Sequence, residues 1–255
     1  TRQFCAEKVV KPRTTPDSPI CSVCIANYNG ANVILDCIEA VLAQDCDFDF
    51  EIIVHDDAST DNSVDIIRSE FPGIQLLSSD TNVGFCTSNN RMAKVAAGHY
   101  LLLLNNDAML LPDALKTLYR AACGSTPAVF GLPQYDASTG EFVDNGYYCD
   151  IFANPMPNMV MDHCHVAFVS GACLWIPRLL WHESGGFPEW FGSVAEDMYL
   201  CARLRLGGHP VIALGKSGFH HHFGFSLGGG RVNRGNRLSS TIRRRTLSER
   251  NKTYV

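Results

Sequence analysis

The chain has 255 residues, of which 46% are hydrophobic, 10% aromatic and 18% charged. This composition excludes a disordered protein and supplies enough apolar residues for one large core or two closely fused ones. The apolar runs are too short to span a membrane, and the first residues lack the basic and apolar pattern of a signal peptide. The chain begins with Thr1 rather than Met, which leaves open whether a targeting segment precedes it.

Charge is distributed unevenly along the chain. The net charge is −5, yet residues 231–255 contain eight Lys or Arg and a single acid, Glu249. A basic C-terminal segment on an acidic body favours an anionic partner, which is a diphosphate, an acidic lipid surface or the body itself. We expect no nucleic-acid partner.

The eleven cysteines are scattered mostly through apolar runs, where thiols usually behave as small buried hydrophobes. Cys21 and Cys24 have the spacing of a zinc pair, but a strand would direct them to opposite faces. No second pair with this spacing follows. The pattern therefore favours free thiols in a reducing, cytoplasmic setting over a zinc site.

Strand and helix patterns alternate through the first half of the chain. Apolar runs and helical spacing predict strands at 20–26, 51–54, 74–77 and 100–104, and helices at 31–43, 61–71, 87–97 and 112–123. This alternation predicts an α/β fold with a mainly parallel sheet, helices on both faces and right-handed crossovers.

The pattern changes after Pro133. Residues 134–165 are rich in Asn, Asp, Gly, Pro and Tyr and predict hairpins and loops. Regular signals return at 167–176, in a helix at 197–206 and in a strand at 210–214. This second half is therefore expected to be mixed rather than parallel.

These changes predict the organisation of the chain. We expect an N-terminal arm at 1–18, a nucleotide-binding half at 19–133, an acceptor-binding and catalytic half at 134–230, and a basic segment at 231–255. Residues 19–230 are predicted to form one compact domain.

Residues 101–107 read LLLLNND and carry the most information about function. Four leucines predict a strand buried on both faces, and the strand ends in Asn105, Asn106 and Asp107. Open α/β sheets bind ligands at the carboxyl ends of their strands, so Asp107 is a candidate ligand for a divalent cation that holds a phosphate. Polar turn chemistry before a helix is the alternative interpretation.

The second predicted strand runs into residues 55–61, which read HDDASTD. Asp56 and Asp57 are candidates to accept a hydrogen bond from a base or ribose, whereas the Ser-Thr-Asp that follows is more typical of a helix cap. After the first strand, residues 27–30 read NYNG instead of a dinucleotide or phosphate-loop motif, which argues against a dehydrogenase or an ATPase.

Two later groups are candidates for catalysis. Glu196 and Asp197 begin a predicted helix, where acids ordinarily favour the helix dipole but where one of them could serve as a general base. Residues 220–222 are three consecutive histidines that favour a cation or phosphate, and residues 163–165 are a weaker candidate.

In this order, the motifs resemble those of the family 2 glycosyltransferases, especially bacterial rhamnosyltransferase-like enzymes of polysaccharide assembly. The matching segments are residues 25–29, 55–61, 82–85, 88–90, 97–98, 105–107, 171–172, 185–187, 196–197, 221–226 and 249–251. The resemblance covers nearly the whole chain from residue 20 and implies an A-type glycosyltransferase fold, which is Rossmann-like, with inversion at the anomeric carbon.

The resemblance also implies roles. The donor would be a nucleotide diphosphate sugar of the UDP or dTDP type, the acceptor a glycan or lipid-linked glycan, and the cofactor Mn²⁺ or Mg²⁺. Asp107 and His221 would bind the metal, and Asp197 would be the catalytic base beside Glu196. The donor-binding residues would be Asn27, Asn29, Asp56, Asn82, Asn89, Asn106 and Asp107, and the acceptor-binding residues Gly171, Ala172 and Trp190.

The sequence departs from the family pattern in three places. Asn105 replaces the first acid of the metal motif, so the cation would depend on Asp107. Asp57 stands where Asn is commoner, and the histidine triplet leaves open whether His221 or His222 is the functional one. A neutral Asn105 raises the alternative of a sugar-nucleotide-binding module without catalysis. A sugar-phosphate nucleotidyltransferase is a weaker alternative, because no glycine-rich basic loop follows the first strand.

The basic segment has two interpretations. Arg231, Arg234 and Arg237 follow three glycines and could close over a diphosphate as a loop. Residues 243–245 are three arginines that could instead face an anionic membrane carrying a lipid-linked acceptor. The second interpretation predicts a cytoplasmic protein in peripheral contact with the inner face of the cell membrane.

Overall fold

A computed structural model describes residues 19–222 and 241–255. The predicted arm at 1–18 and the arginines of the predicted loop lie outside the described residues. The strands are β1 (Cys21–Asn27), β2 (Phe50–Asp56), β3 (Gln75–Ser78), β4 (Tyr100–Asn105), β5 (Ala108–Leu110), β6 (Val129–Gly131), β7 (Gln134–Asp136), β8 (Phe142–Asp144), β9 (Tyr147–Cys149), β10 (Pro155–Pro157), β11 (Cys173–Pro177), β12 (Val211–Ala213) and β13 (Phe219–His221). The helices are α1 (Ile34–Leu42), α2 (Ser63–Glu70), α3 (Phe85–Val95), α4 (Ala114–Cys123), α5 (Arg178–Ser184), α6 (Glu196–Leu206) and α7 (Ile242–Lys252).

A seven-stranded sheet in the order β12-β6-β11-β4-β1-β2-β3 forms the centre of the molecule. Its neighbouring strands are parallel except at β11, which is antiparallel to both β4 and β6. The predicted mainly parallel sheet and mixed second half are confirmed. Strands from both predicted halves share this sheet, and the functional division between the halves stays a prediction.

The four leucines of β4 explain why this strand is central. Leu102 and Leu104 pack into a core cluster on one face of the sheet, with α1 and α4, whereas Leu101 and Leu103 pack on the other, with α3 and α6. Each leucine is 1% exposed or less, and its burial stabilises the fold by about 1.5–3 kcal/mol. The run is apolar without alternation because helices cover both faces.

A second sheet, in the order β5-β13-β7-β8, lies beside the end of β4. β5 begins directly after Asp107, and β13 pairs antiparallel with it, so that His221 lies opposite Ala108. Strands β9 and β10 form a hairpin within the segment predicted to contain hairpins and loops. This small sheet brings the histidine run to the end of β4.

Two helices were not predicted. α5 follows β11 without a loop, and α7 occupies part of the basic C-terminal segment. α7 carries few apolar residues, so its sequence shows no helical periodicity. The Thr241 hydroxyl caps this helix by accepting a hydrogen bond from the Arg244 N–H at 3.1 Å. Three predicted helix starts shift by two residues, from 61 to Ser63, from 87 to Phe85 and from 112 to Ala114, and the start of α1 shifts by three, from 31 to Ile34.

The cysteines of the two described ranges are free thiols, as predicted. Burial raises the pKa of Cys21 and Cys24. Within these ranges, no group of three or more His, Cys, Asp or Glu could by itself hold a metal ion. Across the same residues, no helix combines the length and the apolar character needed to cross a membrane.

Candidate active site

A cleft of about 550 Å³ opens at the carboxyl ends of β1, β2 and β4 and is closed on the other side by α6 and α7. It brings together nine of the predicted site residues: Asn27, Asn82, Asn106, Asp107, Gly171, Ala172, Glu196, Asp197 and His221. The other four predicted site residues lie outside the cleft lining: Asn29, Asp56, Asn89 and Trp190.

A chain of side-chain hydrogen bonds joins the ends of three adjacent strands. The Asn106 Nδ2 donates to Asn27 Oδ1 at 2.9 Å, and the Asn27 Nδ2 donates to Asp56 Oδ1 at 2.9 Å. Gly30 lies against this bridge: a Cβ there would come within 2.2 Å of Asn27 Oδ1 and 2.3 Å of Asn106 Nδ2. We call these contacts the asparagine bridge; it holds the ends of β1, β2 and β4 in register at the cleft.

The two acids after β2 have different surroundings. Asp56 is 3% exposed and also accepts from the Ser59 hydroxyl at 2.6 Å, so its carboxylate is used inside the loop. Asp57 lies on the cleft and accepts from the N–H groups of Val83 at 2.6 Å and Gly84 at 2.8 Å. The structure thus places Asp57 at the cleft surface, and Asp56 contributes through Asn27, because consecutive residues at a strand end point in opposite directions.

Three predicted residues are used for packing or loop structure. The Asn29 Oδ1 accepts from the Thr60 N–H at 2.8 Å on an exposed loop. Asn89 is buried in α3 and donates to the Phe85 carbonyl at 2.9 Å. Trp190 packs edge-on against Tyr254, with ring centroids 4.6 Å apart. All three lie outside the cleft lining, so we leave them out of the proposed binding set.

Asp107 and His221 meet at one corner of the cleft. The His221 Nε2 lies 3.0 Å from Asp107 Oδ1 and 3.3 Å from the Asn105 Nδ2. The antiparallel pairing of β13 with β5 produces this contact and directs His221 to the carboxylate, while the His222 N–H donates to the Asp107 carbonyl at 3.1 Å.

This corner fits a divalent cation that arrives with a diphosphate. Carboxylate oxygen and imidazole nitrogen are both ligands of Mn²⁺, and Mg²⁺ is commonly held by one or two carboxylates together with substrate phosphates and water. Asp107 supplies a nearly buried carboxylate, 8% exposed, with His221 beside it. The remaining positions would be filled by phosphate oxygens and water.

Glu196, which is buried, and Asp197, which is half-buried, form a pair of carboxylates at the start of α6. Burial and the neighbouring charge of Asp197 raise the pKa of Glu196 to about 8. Burial also raises the pKa of Asp197, although its Oδ2 accepts from the Gly171 N–H at 2.9 Å and its Oδ1 from the Met198 N–H at 2.8 Å. Two such close carboxyls hold a proton between them near neutral pH, and the hydrogen-bonded Asp197 is the better placed to be charged.

The backbone that leads into this pair is strained. Val194 and Ala195 have φ values of 72° and 68°, in the left-handed region that residues with a side chain rarely adopt. Each such residue costs on the order of 1–3 kcal/mol and persists only where its surroundings hold it. The strained step turns the chain so that Glu196 and Asp197 face the cleft.

Helix α7 forms a wall of the cleft that the sequence did not predict. Its cleft-lining residues are Arg243, Arg244, Leu247, Ser248 and Lys252. The positive charge of Arg244 lowers the pKa of both Glu196 and Asp197 and so opposes the effect of burial. Part of the basic segment therefore faces the acidic site in the body of the protein.

An aromatic pair lines another part of the cleft. Tyr147 and Phe168 stack with ring centroids 4.9 Å apart and an interplanar angle of 10°, and both line the cleft. Flat aromatic surfaces of this kind suit the apolar faces of sugar rings. The sequence carried no signal for the pair, because Tyr147 lies in a segment without periodicity.

Comparison with known proteins agrees with this geometry. The family model described as Glycosyl transferase family 2 matches residues 22–179. The chondroitin synthase of Pasteurella multocida (strain Pm70) is 26% identical over 188 residues, which cover 71% of this chain and 18% of that enzyme. The matched part covers between 18% and 33% of the length of four of the curated relatives, this chondroitin synthase among them.

Two solved structures share the fold. Staphylococcus aureus TarS in complex with UDP superimposes with a TM-score of 0.63 and 20% identity, covering 78% of this chain and 59% of TarS. GalNAc-T7 with UDP, GalNAc and Mn²⁺ superimposes with a TM-score of 0.70 and 13% identity, covering 81% of this chain and 43% of GalNAc-T7. The family model covers more than half of the chain, and the fold agrees with it; the chain therefore belongs to glycosyl transferase family 2 and has the A-type glycosyltransferase fold.

Proposed function

We propose that this protein transfers a sugar from a nucleotide diphosphate sugar to a hydroxyl group of a glycan or lipid-linked glycan, with inversion at the anomeric carbon. The observation that carries the proposal is that the Asp107–His221 pair and the Asp197 carboxylate line one cleft. TarS was solved with UDP and GalNAc-T7 with UDP and Mn²⁺, which supports a diphosphate donor of the UDP type and a divalent cation.

The leaving group is served by the corner at Asp107. As the bond between the anomeric carbon and the diphosphate oxygen breaks, negative charge grows on the diphosphate. Mn²⁺ or Mg²⁺ held by Asp107 and His221 would supply Lewis-acid stabilisation of that charge. Asn27, Asn82, Asn106 and Asp57 line the donor side and would contact the nucleoside.

The acceptor is served by Asp197. Its carboxylate would take the proton from the acceptor hydroxyl while the hydroxyl oxygen attacks the anomeric carbon on the face opposite the diphosphate, which gives inversion. A positioned base contributes about 10²–10⁴-fold to such a step. The N–H groups of Gly171 and Met198 hold the carboxylate in place, and a protonated Glu196 keeps the pair at a single negative charge.

Two alternatives are less well supported. A binding module without catalysis is favoured by the neutral Asn105, but it does not explain a pair of carboxylates with raised pKa values facing the same cleft as the metal corner. The nucleotidyltransferase alternative is set aside, because the family match is to glycosyltransferases. Peripheral membrane contact stays a prediction; the position of Arg243 and Arg244 on the cleft favours an anionic substrate as their partner.

Thermal unfolding with a panel of UDP-, dTDP- and GDP-sugars, each with and without Mn²⁺, tests the proposal. We expect one donor to raise the melting temperature only when metal is present, and we expect Asp107→Asn to lose this increase. Asp45→Asn is the matched control, because the Asp45 side chain is 79% exposed and lies on the surface.

Release of free nucleotide, measured with the stabilising donor and a panel of glycan acceptors, then separates an enzyme from a binding module. We expect release that depends on both metal and acceptor. Donor binding without transfer to any acceptor, and without slow donor hydrolysis, would favour the binding module and contradict the proposal.

A further inference from the structure

Asn251, in the last turn of α7, makes an unusual set of contacts for a residue near the end of a basic helix. It is fully buried, and its Nδ2 lies 2.7 Å from the Val194 carbonyl oxygen and 3.1 Å from that of Ser193. The Phe191 carbonyl oxygen lies 3.3 Å away. The two N–H groups of one side-chain amide are therefore shared among three backbone carbonyls of a single loop.

Arg250 supports this arrangement in two ways. Its Nε donates to Asn251 Oδ1 at 2.8 Å, which determines that the NH₂ end of the amide faces the carbonyls. Its Nη2 donates to the carbonyl oxygens of Trp190 at 3.0 Å and Phe191 at 2.9 Å. We call Arg250 and Asn251 the clamp and residues 190–194 the clamped loop.

The clamped loop leads directly into the catalytic pair. Val194 and Ala195 have left-handed backbone, and Ala195, at the N-cap of α6, makes no side-chain capping hydrogen bond. Residues with a Cβ leave this conformation readily unless neighbouring groups hold it. The clamp supplies that hold from a point about 60 residues further along the chain.

We propose that Asn251 is a positioning residue for sugar transfer, because its amide holds the clamped loop in the conformation that directs Glu196 and Asp197 into the cleft. The inference rests on the proposed role of Asp197 as the base. It assigns a function to the Arg-Asn pair that the sequence motif alone left without one.

The donor side meets the clamped loop at the start of α3, where the Cys86 N–H donates to the Gly192 carbonyl at 3.1 Å, but the parts proposed to hold the nucleotide and the cation belong to other elements. The asparagine bridge is formed by residues at the ends of β1, β2 and β4, and the Asp107–His221 corner by the pairing of β13 with β5. Release of the clamped loop is therefore expected to lower the turnover number while leaving nucleotide affinity nearly unchanged. A residue that served general stability alone would not produce this separation.

The test uses Asn251→Asp and Asn251→Ala in the full chain. The aspartate has the same shape as asparagine but turns a hydrogen-bond acceptor toward three carbonyls. The alanine removes the side-chain amide and serves as the test if the aspartate variant does not fold. With Mn²⁺ and the donor that the thermal-unfolding panel selects, we expect kcat to fall about tenfold to a hundredfold, the effect of a small misplacement of a reacting group. The dissociation constant of UDP with Mn²⁺ should change less than about twofold.

Hydrogen–deuterium exchange gives a readout that does not depend on activity. We expect faster exchange in the clamped loop, where the amides of Gly192 and Ser193 donate to Glu189 and Phe191, and unchanged exchange in β1 and β4. Arg245→Ala is the matched control, because Arg245 is exposed on the same helix. This variant should leave both exchange and kcat unchanged.

Three outcomes distinguish the hypotheses. Wild-type kcat and exchange in both Asn251 variants would overturn the inference. Faster exchange throughout the chain, or equal losses in kcat and UDP affinity, would overturn it in favour of a general structural role. A wild-type chain that binds UDP but transfers no sugar would overturn the proposed function. In that case, slower hydrogen–deuterium exchange in the wild-type loop than in the Asn251 variants would still support the clamp.

Discussion

The donor side and the catalytic side of the cleft are constructed in different ways. On the donor side, Asn27 and Asn106 extend from adjacent parallel strands and hydrogen-bond to each other. On the catalytic side, Glu196 and Asp197 are carboxylates with raised pKa values that follow a strained backbone. Helix α7, from the end of the chain, packs against that backbone.

The difference shows how stability and reactivity are separated within one site. The donor side obtains its geometry from sheet register, which the core already stabilises, so its polar groups are paired at little additional cost. The catalytic side keeps buried charge and left-handed backbone that oppose folding, and it requires contacts from distant residues to persist. Substitutions on the two sides should therefore have different consequences.

The largest effect is expected for Asp197→Asn, which removes the base and keeps its shape. We expect kcat to fall by about 10²–10⁴-fold, the usual contribution of a positioned base. Binding of UDP with Mn²⁺ should be unchanged, because the donor side does not depend on this carboxylate. Steady-state kinetics and calorimetric titration measure the two quantities, and near-normal transfer by a folded variant would show that Asp197 is not the base.

An intermediate effect is expected for Gly30→Ala, which disturbs the donor side. The added Cβ would approach the asparagine bridge to 2.2 Å, so we expect the free energy of unfolding in urea to fall by about 1–3 kcal/mol. Nucleotide affinity should fall with it. Gly73→Ala is the control, since no atom lies within 4 Å of the added Cβ, and it should stabilise the fold by about 0.4–1 kcal/mol. Equal stability of the two variants would contradict the role of the bridge.

An effect of a different kind is the pH dependence of stability caused by Glu196. Its folded-state pKa of about 8 lies above the ordinary value near 4.3, so the folded protein binds the proton more tightly than the unfolded chain. The stability that this tighter proton binding gives the folded protein is fully present below pH ~4. It is lost as the pH rises toward and through about 8. Glu196→Gln should remove this loss, so that the variant gains about 1 kcal/mol or more over the wild type between pH 5 and pH 9. Urea unfolding at both pH values measures it, and parallel profiles would disprove the assignment.

Much of the donor side was predictable because its residues follow strong local patterns. The leucine run predicted β4 and so placed Asn106 and Asp107 at the ligand-binding edge of the sheet, where the structure has them. The pattern did not show which way each side chain points after a strand ends. For that reason Asp56 was predicted at the cleft, whereas the structure places Asp57 there.

The catalytic side was predictable as a motif but not as a structure. Glu196 and Asp197 were recognised from their place at a helix start, but their burial and raised pKa depend on what packs over them. Trp190 was predicted to contact the acceptor, yet its ring packs against Tyr254 of the C-terminal segment. Helix α7 could not be foreseen, since it lacks an apolar face.

The sequence by itself determined the parallel sheet and the position of Asp107 at its edge, because burial of consecutive residues leaves a periodic record along the chain. Its motifs, taken in order, also pointed to the family by resemblance. Only the tertiary structure decided that His221 contacts Asp107, that Asp57 faces the cleft and that Asn251 holds the loop before Glu196. These are contacts between residues 26 to 114 positions apart, and hydrogen bonds at such separations depend on how the elements pack. No local periodicity records them.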